Sequence, residues 1–84
     1  MIVNRRIEEL VQHLERFTRG EDVSVQWAKD AESILDQWDE LDEVLDELQD
    51  YLSLYGPEGG PYLYNKDELD QFCHRILPIL KKRI

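Results

Sequence analysis

The apolar residues of this chain recur at three- and four-residue steps along most of its length, and this periodicity predicts helices. The first helix is predicted over residues 4–19, with its apolar side formed by Ile7, Leu10, Val11, Leu14 and Phe17. A second stripe continues through residues 24–55 without a glycine or proline. One helix of about 30 residues would be ~45 Å long, which is too long for a compact domain of this size. We therefore predict a break near residues 37–40, after which Asp39 caps a third helix.

Residues of the kinds that begin and end helices lie at the predicted boundaries. Asn4 and Ser24 are suited to accept hydrogen bonds from the first turns of the first and second helices, so we predict them as N-caps. Gly20 follows the first helix at the position where a left-handed residue commonly ends a helix. A Gly- and Pro-rich loop over residues 56–61 precedes the last helix. That helix is predicted to begin at a capping box of Asn65 and Glu68.

Four amphipathic segments with short connections predict a single all-α domain over residues 1–84, a small antiparallel four-helix bundle. Pro78 lies inside the last segment and predicts a kink or an early end. The core is expected to hold the single Cys73 and the aromatic residues of the stripes, which are Phe17, Trp27, Trp38 and Phe72. The N-terminal segment lacks the uninterrupted apolar run of a signal peptide, and no stretch is apolar enough to span a membrane. We therefore expect a cytoplasmic protein.

The net charge of −9 at pH 7 is concentrated in the middle of the chain. Twelve acidic residues lie between Glu21 and Asp50, where only Lys29 opposes them. Such a surface repels nucleic-acid phosphates and anionic membranes, and it favours a basic protein as partner. The acids predicted to contact that partner are Asp36, Asp39, Glu40, Asp42, Glu43, Asp46, Glu47 and Asp50.

The spacing of these acids predicts two rows along a helix. One row is Asp36, Glu40, Glu43 and Glu47, and the other is Asp39, Asp42, Asp46 and Asp50. Like charges four residues apart destabilise an isolated helix by roughly 0.2–0.5 kcal/mol. The rows are either an ordinary solvated face or a preformed anionic surface, and a solvated face usually mixes both signs. Tyr55, Tyr62 and Tyr64, beside the loop, are expected to be half-exposed, either to pack the loop or to contact the partner.

Catalytic and metal-binding patterns are missing from the sequence. The acids have neither the alternate spacing nor the central glycine of an EF-hand loop. Neither His13 nor His74 has a glutamate three residues before it, as di-iron bundles require. Adjacent helical residues point apart, so Cys73 and His74 do not form a dyad. We predict a protein that is not an enzyme and that binds no cofactor and no metal.

Two segments near the ends of the chain resemble bacterial self-protective, colicin-like immunity proteins of the colicin D type. Residues 19–24, Arg-Gly-Glu-Asp-Val-Ser, look like the turn between the first two helices of that family. Residues 62–69, Tyr-Leu-Tyr-Asn-Lys-Asp-Glu-Leu, with Ile76-Leu77 and a basic, apolar end, resemble its last helix. The middle of the chain departs from the family by its denser acids, and the last helix departs from it by Pro78.

The resemblance implies a four-helix bundle that binds the tRNA-cleaving domain of a toxin and blocks its basic cleft with acidic side chains. Our leading prediction is accordingly an immunity- or antitoxin-type inhibitor that mimics nucleic-acid phosphates, and we expect it to be a monomer. The alternative is a structural or adaptor protein that self-associates, or pairs through an exposed helix face. In that case residues 24–55 would form one long helix.

Overall fold

A computed structural model describes residues 2–38, 41–56 and 63–83, with side chains from Arg6 onward. Within these residues the chain is all-α. It forms α1 (Ile2–Thr18), α2 (Val25–Leu35), α3 (Glu43–Ser53) and α4 (Lys66–Lys81). Consecutive helices pack against each other and α4 returns to α1, so the predicted antiparallel four-helix bundle is confirmed. None of the described helices is both long and apolar enough to cross a membrane.

The first helix begins earlier than predicted and ends where expected. Asn4 lies inside α1, so its predicted role as the N-cap is wrong. At the other end Gly20 adopts a φ of 77°, which a residue without a Cβ tolerates. The amide of Gly20 donates to the carbonyl of Phe17, and the amide of Glu21 donates to that of Arg16. This pair of bonds is a Schellman ending, and it turns the chain toward α2.

The break in the long middle stripe is confirmed, but Asp39 was the wrong cap. α2 starts at the predicted Ser24, whose hydroxyl accepts a 3.1 Å hydrogen bond from the amide of Trp27. α3 starts after Asp42, whose carboxylate accepts a 3.0 Å bond from the amide of Leu45. Asp39 itself lies outside the described residues. A single helix over residues 24–55 is therefore wrong, and at ~45 Å it would exceed the 39 Å longest extent of the molecule.

The last helix follows its predicted start signal and continues through its proline. Asn65 accepts from the amide of Glu68 at 2.9 Å, while the Glu68 carboxylate accepts from the amide of Asn65 at 3.1 Å. The capping box is therefore confirmed. The early end at Pro78 does not occur, because α4 runs on to Lys81. The buried Leu80 anchors this last turn in the core.

A short bridge brings the end of α3 to the start of α4. The amide of Gly56 donates to the carbonyl of Tyr64, and the amide of Tyr64 donates to that of Leu54. A Cβ on Gly56 would lie 2.6 Å from Cδ1 of the exposed Leu63, so a larger residue here would have to displace that side chain. The remainder of the predicted loop, residues 57–61, lies outside the described residues.

All four helices contribute their apolar sides to one core. The largest fully buried side chains are Trp27 and Phe17, whose ring centroids lie 4.5 Å apart. Phe72 and Cys73 are buried as predicted, while Trp38 is partly buried against the core. The remaining buried side chains are Ile7, Leu10, Val11, Leu14, Ala28, Ala31, Ile34, Leu35, Leu45, Leu48, Leu52, Tyr55, Leu69, Ile76, Leu77 and Leu80. With the apolar sides turned inward, the acids are left outside.

Candidate partner-binding surface

Four exposed carboxylates share one side of α3. Glu43, Asp46, Glu47 and Asp50 follow one another at steps of three, one and three residues, which places them on one helical face. We call these four residues the α3 acidic face. The opposite side of α3 holds Leu45, Leu48 and Leu52 in the core. Core packing therefore directs these acids toward solvent.

The break after α2 interrupts the two predicted rows, so that in the described residues only their α3 parts lie on one helix. Glu43 and Glu47 of one row and Asp46 and Asp50 of the other belong to the same face of α3. Asp36 is exposed at the C-cap of α2, and Asp42 is exposed at the N-cap of α3. Asp39, Glu40 and Tyr62 lie outside the described residues.

Tyr55 does not belong to an exposed surface, so its predicted half-exposure is wrong. Its side chain is 6% exposed, and its hydroxyl donates a 2.6 Å hydrogen bond to the carbonyl of Val23. Its ring meets that of Phe17 edge-on at 5.5 Å. Burial raises the pKa of the Tyr55 phenol, and the charge of Asp22 raises it further. Tyr55 continues the buried stripe of Leu48 and Leu52, which explains its inward position.

Few of the surface acids are neutralised by neighbouring cations. Among the described residues, ion pairs reach this surface only from Arg75 to Glu47, at 3.3 Å, and from Arg83 to Asp42. Glu43, Asp46 and Asp50 have no ion-pair partner there. The described part of the surface therefore keeps a net negative charge.

Three of the acids, Asp42, Glu43 and Asp46, stabilise the start of α3. Burial alone would raise the pKa of Asp42. The hydrogen bond from Leu45 and the pairing with Arg83 outweigh that effect and lower it. Glu43 and Asp46 lie in the first turn of α3, where the helix dipole favours negative charge.

Within the part of the chain that the structure describes, Asp36 and Asp50 have no comparable role in the fold. Asp36 caps the C-terminus of α2, and Asp50 lies in the last turn of α3. A helix C-terminus carries a partial negative charge, so an acid there opposes the helix dipole. Neither helix has a basic residue in its last turn to offset this. No contact among the described residues accounts for these two charges, and they are the strongest candidates for a functional role.

A column of planar side chains lies along the contact between α3 and α4, and we did not predict it from the sequence. The ring of Tyr51 stacks on Tyr64 with centroids 4.1 Å apart and on Phe72 at 4.2 Å. The guanidinium of Arg75 covers the Phe72 ring at 4.9 Å and also pairs with Glu47. Glu47 and Tyr51 are four residues apart on α3, and that spacing was visible in the sequence. The partners on α4 depend on how the helices pair, which was not.

Cys73 lies in the core, and His13 packs against a core residue. Burial and the nearby Asp70 raise the pKa of the Cys73 thiol to about 12, so it is almost entirely protonated at neutral pH. His13 stacks on Trp27 at 5.0 Å, and its Nε2 lies 2.9 Å from the carbonyl oxygen of Trp27. In the part of the chain that the structure describes, no group of three or more His, Cys, Asp or Glu side chains is arranged to hold a metal ion.

Comparisons of this chain with protein-family models, with curated proteins and with solved structures found no match. The resemblance of its end segments to colicin D-type immunity proteins therefore stays a prediction.

Proposed function

We propose that this chain is an immunity- or antitoxin-type inhibitor that binds a basic site on a toxic nuclease. The observation that carries the proposal is the α3 acidic face, an exposed set of carboxylates on a helix whose other side is fixed in the core. Asp36, at the C-cap of the neighbouring helix α2, is a further exposed carboxylate.

The physical basis is electrostatic substitution. A nuclease cleft is positively charged because it holds phosphates, so a rigid array of carboxylates can occupy it in their place. Complementary charge also steers the two proteins together and raises the association rate. A bundle with a fixed core suits this role, since a pre-organised surface loses little conformational entropy on binding.

The position of the acids supports binding more than ordinary solvation. A solvated face gains nothing from Asp36 and Asp50, which oppose their helix dipoles at a cost of roughly 0.3–1 kcal/mol each. Residues that lower stability without a role in the fold are commonly functional. The adaptor alternative expected an exposed stripe on one long helix. In the described residues this stripe is divided between α2 and α3 and faces the core, with Trp38, Leu41, Val44 and Tyr51 partly buried against it.

The test uses the tRNA-cleaving domain of a colicin D-type toxin and the product of the reading frame beside this gene. Calorimetric titration is carried out across a series of salt concentrations, together with a tRNA-cleavage assay. We expect the intact chain to bind one of these proteins, to inhibit cleavage, and to lose affinity as salt rises.

The decisive variant is Asp46→Lys/Asp50→Lys. Its control is Glu8→Lys/Glu9→Lys, which makes the same change in net charge at exposed positions of α1. The first variant should lose most of its affinity, while the second keeps it. Equal losses would mean that only overall charge matters. Unchanged affinity in both variants would rule out the α3 acidic face.

A further inference from the structure

An open groove of about 330 Å³ lies at the surface where α3 meets α4. Its lining consists of Tyr51, Glu68, Gln71, Phe72 and Arg75. An apolar cavity of ~150 Å³ is enough to hold benzene, so this groove has room for one aromatic side chain. The four residues from α4 follow at steps of three, one and three, and therefore form one ridge along that helix.

The shape and chemistry of the groove favour a planar group. The stacked column of Tyr64, Tyr51 and Phe72 ends at Arg75, whose guanidinium carbon lies over the Phe72 ring, 4.9 Å from its centroid. The Arg75 side chain is 62% exposed, so its guanidinium is accessible from solvent. Guanidinium planes stack well on aromatic rings.

The charges around the groove disfavour an anion. Glu47 already neutralises Arg75, and a partner carboxylate would have to displace it. The Glu68 carboxylate is held at the groove by its hydrogen bond from the amide of Asn65, and it repels a second anion. A neutral ring neither displaces Glu47 nor is repelled by Glu68. It can stack on the exposed guanidinium of Arg75 while the ion pair between Arg75 and Glu47 stays intact.

We propose that this groove receives an aromatic side chain of the protein that the α3 acidic face binds. The proposal rests on the proposed function, and Glu47 connects the two, since it belongs to the α3 acidic face and also orients Arg75. Charged surfaces mainly set the rate and specificity of association. Aromatic anchors in pockets supply much of the affinity of protein interfaces.

The first test fills the groove. Gln71 is exposed, so Gln71→Trp should fold and occupy the space that the partner's ring would take. Gln12→Trp places the same side chain at an exposed position of α1 and serves as the control. We expect Gln71→Trp to weaken binding of the tRNA-cleaving domain by about tenfold or more, with the salt dependence unchanged. Gln12→Trp should bind like the unmodified chain.

The second test needs no partner protein. N-acetyl-tryptophanamide is titrated into the labelled chain while the Gln71 side-chain amide and Arg75 Nε resonances are followed by NMR. We expect saturable shifts of both resonances in the unmodified chain, loss of the Arg75 Nε shift in Gln71→Trp, and no comparable shifts with N-acetyl-glutamate. Absence of saturable shifts, or stronger shifts with the glutamate, would overturn the aromatic assignment.

The two proposals fail in different ways. If charge reversal on α3 weakens the complex and Gln71→Trp does not, the groove proposal is wrong and the proposed function stands. If neither change affects binding, the proposed function is wrong as well, whatever the tryptophan probe shows.

Discussion

Among the described residues, aromatic side chains join the helices in two clusters, and the two clusters differ in how much of their surface is exposed. Between α1 and α2, Trp27 is fully buried and its Nε1 donates a 2.8 Å bond to the carbonyl of His13. His13 Nε2 lies 2.9 Å from the carbonyl oxygen of Trp27. Between α3 and α4, the column from Tyr64 to Arg75 reaches the surface and ends in an exposed ion pair.

The difference separates a contact enclosed in the core from one that reaches the surface, where the proposed function would use it. The inner contact removes large apolar area from water and satisfies its polar atoms with backbone groups. The outer contact leaves Tyr51 and Tyr64 partly exposed and Arg75 exposed. The inner contact should therefore dominate stability, and changes at the outer contact should mainly affect binding.

The largest effect is expected for Trp27→Ala. Truncating a buried Trp costs roughly 3–5 kcal/mol, while a domain of this size has a free energy of unfolding of about 4–13 kcal/mol. Urea unfolding should show the loss of much or all of the folded state. Tyr51→Ala is the matched change at the outer contact and should cost less than half as much. Equal costs would remove the distinction between the two contacts.

A smaller effect is expected from removing one hydroxyl. Tyr55→Phe loses the hydrogen bond to Val23, and this should lower the free energy of unfolding by about 1 kcal/mol. Tyr51→Phe serves as control because, within the described residues, its hydroxyl makes no hydrogen bond; the change should be close to neutral. The comparison would be wrong if Tyr51→Phe were the more damaging substitution.

Tyr55 should also make the free energy of unfolding depend on pH. The raised pKa of Tyr55 means that its neutral form is favoured in the folded state. The neutral Tyr55 phenol contributes fully to the free energy of unfolding below the ordinary tyrosine pKa of about 10. This contribution is lost as pH rises through the pKa of the folded state. Denaturant titrations at alkaline pH should show a steeper loss for the unmodified chain than for Tyr55→Phe. Parallel curves would contradict the assignment.

The smallest effect is expected for Asp42→Asn. Asparagine is also a good N-cap, so the change keeps the cap and removes the exposed ion pair with Arg83. The loss should be a few tenths of a kcal/mol at neutral pH. Because the pKa of Asp42 is lowered by folding, the difference should be complete above about pH 4 and vanish as pH falls through the folded-state value. If the stability difference between the unmodified chain and Asp42→Asn grew as pH fell, the lowered pKa assigned to Asp42 would be wrong.

Sequence patterns predicted what depends on neighbours along the chain. Ser24 and Asn65 were found because a cap needs only the next three residues. The choice of Asp42 over Asp39 was missed, since both have the same capping chemistry and only core packing of Leu41 and Leu45 distinguishes them.

The candidate site was predicted only in part for the same reason. The acids of α3 were found from composition and spacing, whereas the two rows depended on a register that the break removes. Tyr55 continues the apolar spacing of Leu48 and Leu52, but its position beside the loop led to a prediction of half-exposure, because its partners, Phe17 and Val23, are distant in sequence. The groove with Arg75 requires the pairing of α3 with α4, which no local pattern contains.

The most direct test of the central claim is one double variant, Asp36→Asn/Asp50→Asn. It is nearly isosteric and removes the two charges that oppose their helix dipoles. If these acids are present for binding, the variant should unfold at higher urea than the unmodified chain. It should also bind the tRNA-cleaving domain more weakly, with a reduced salt dependence. A variant that binds as tightly as the unmodified chain would contradict the account.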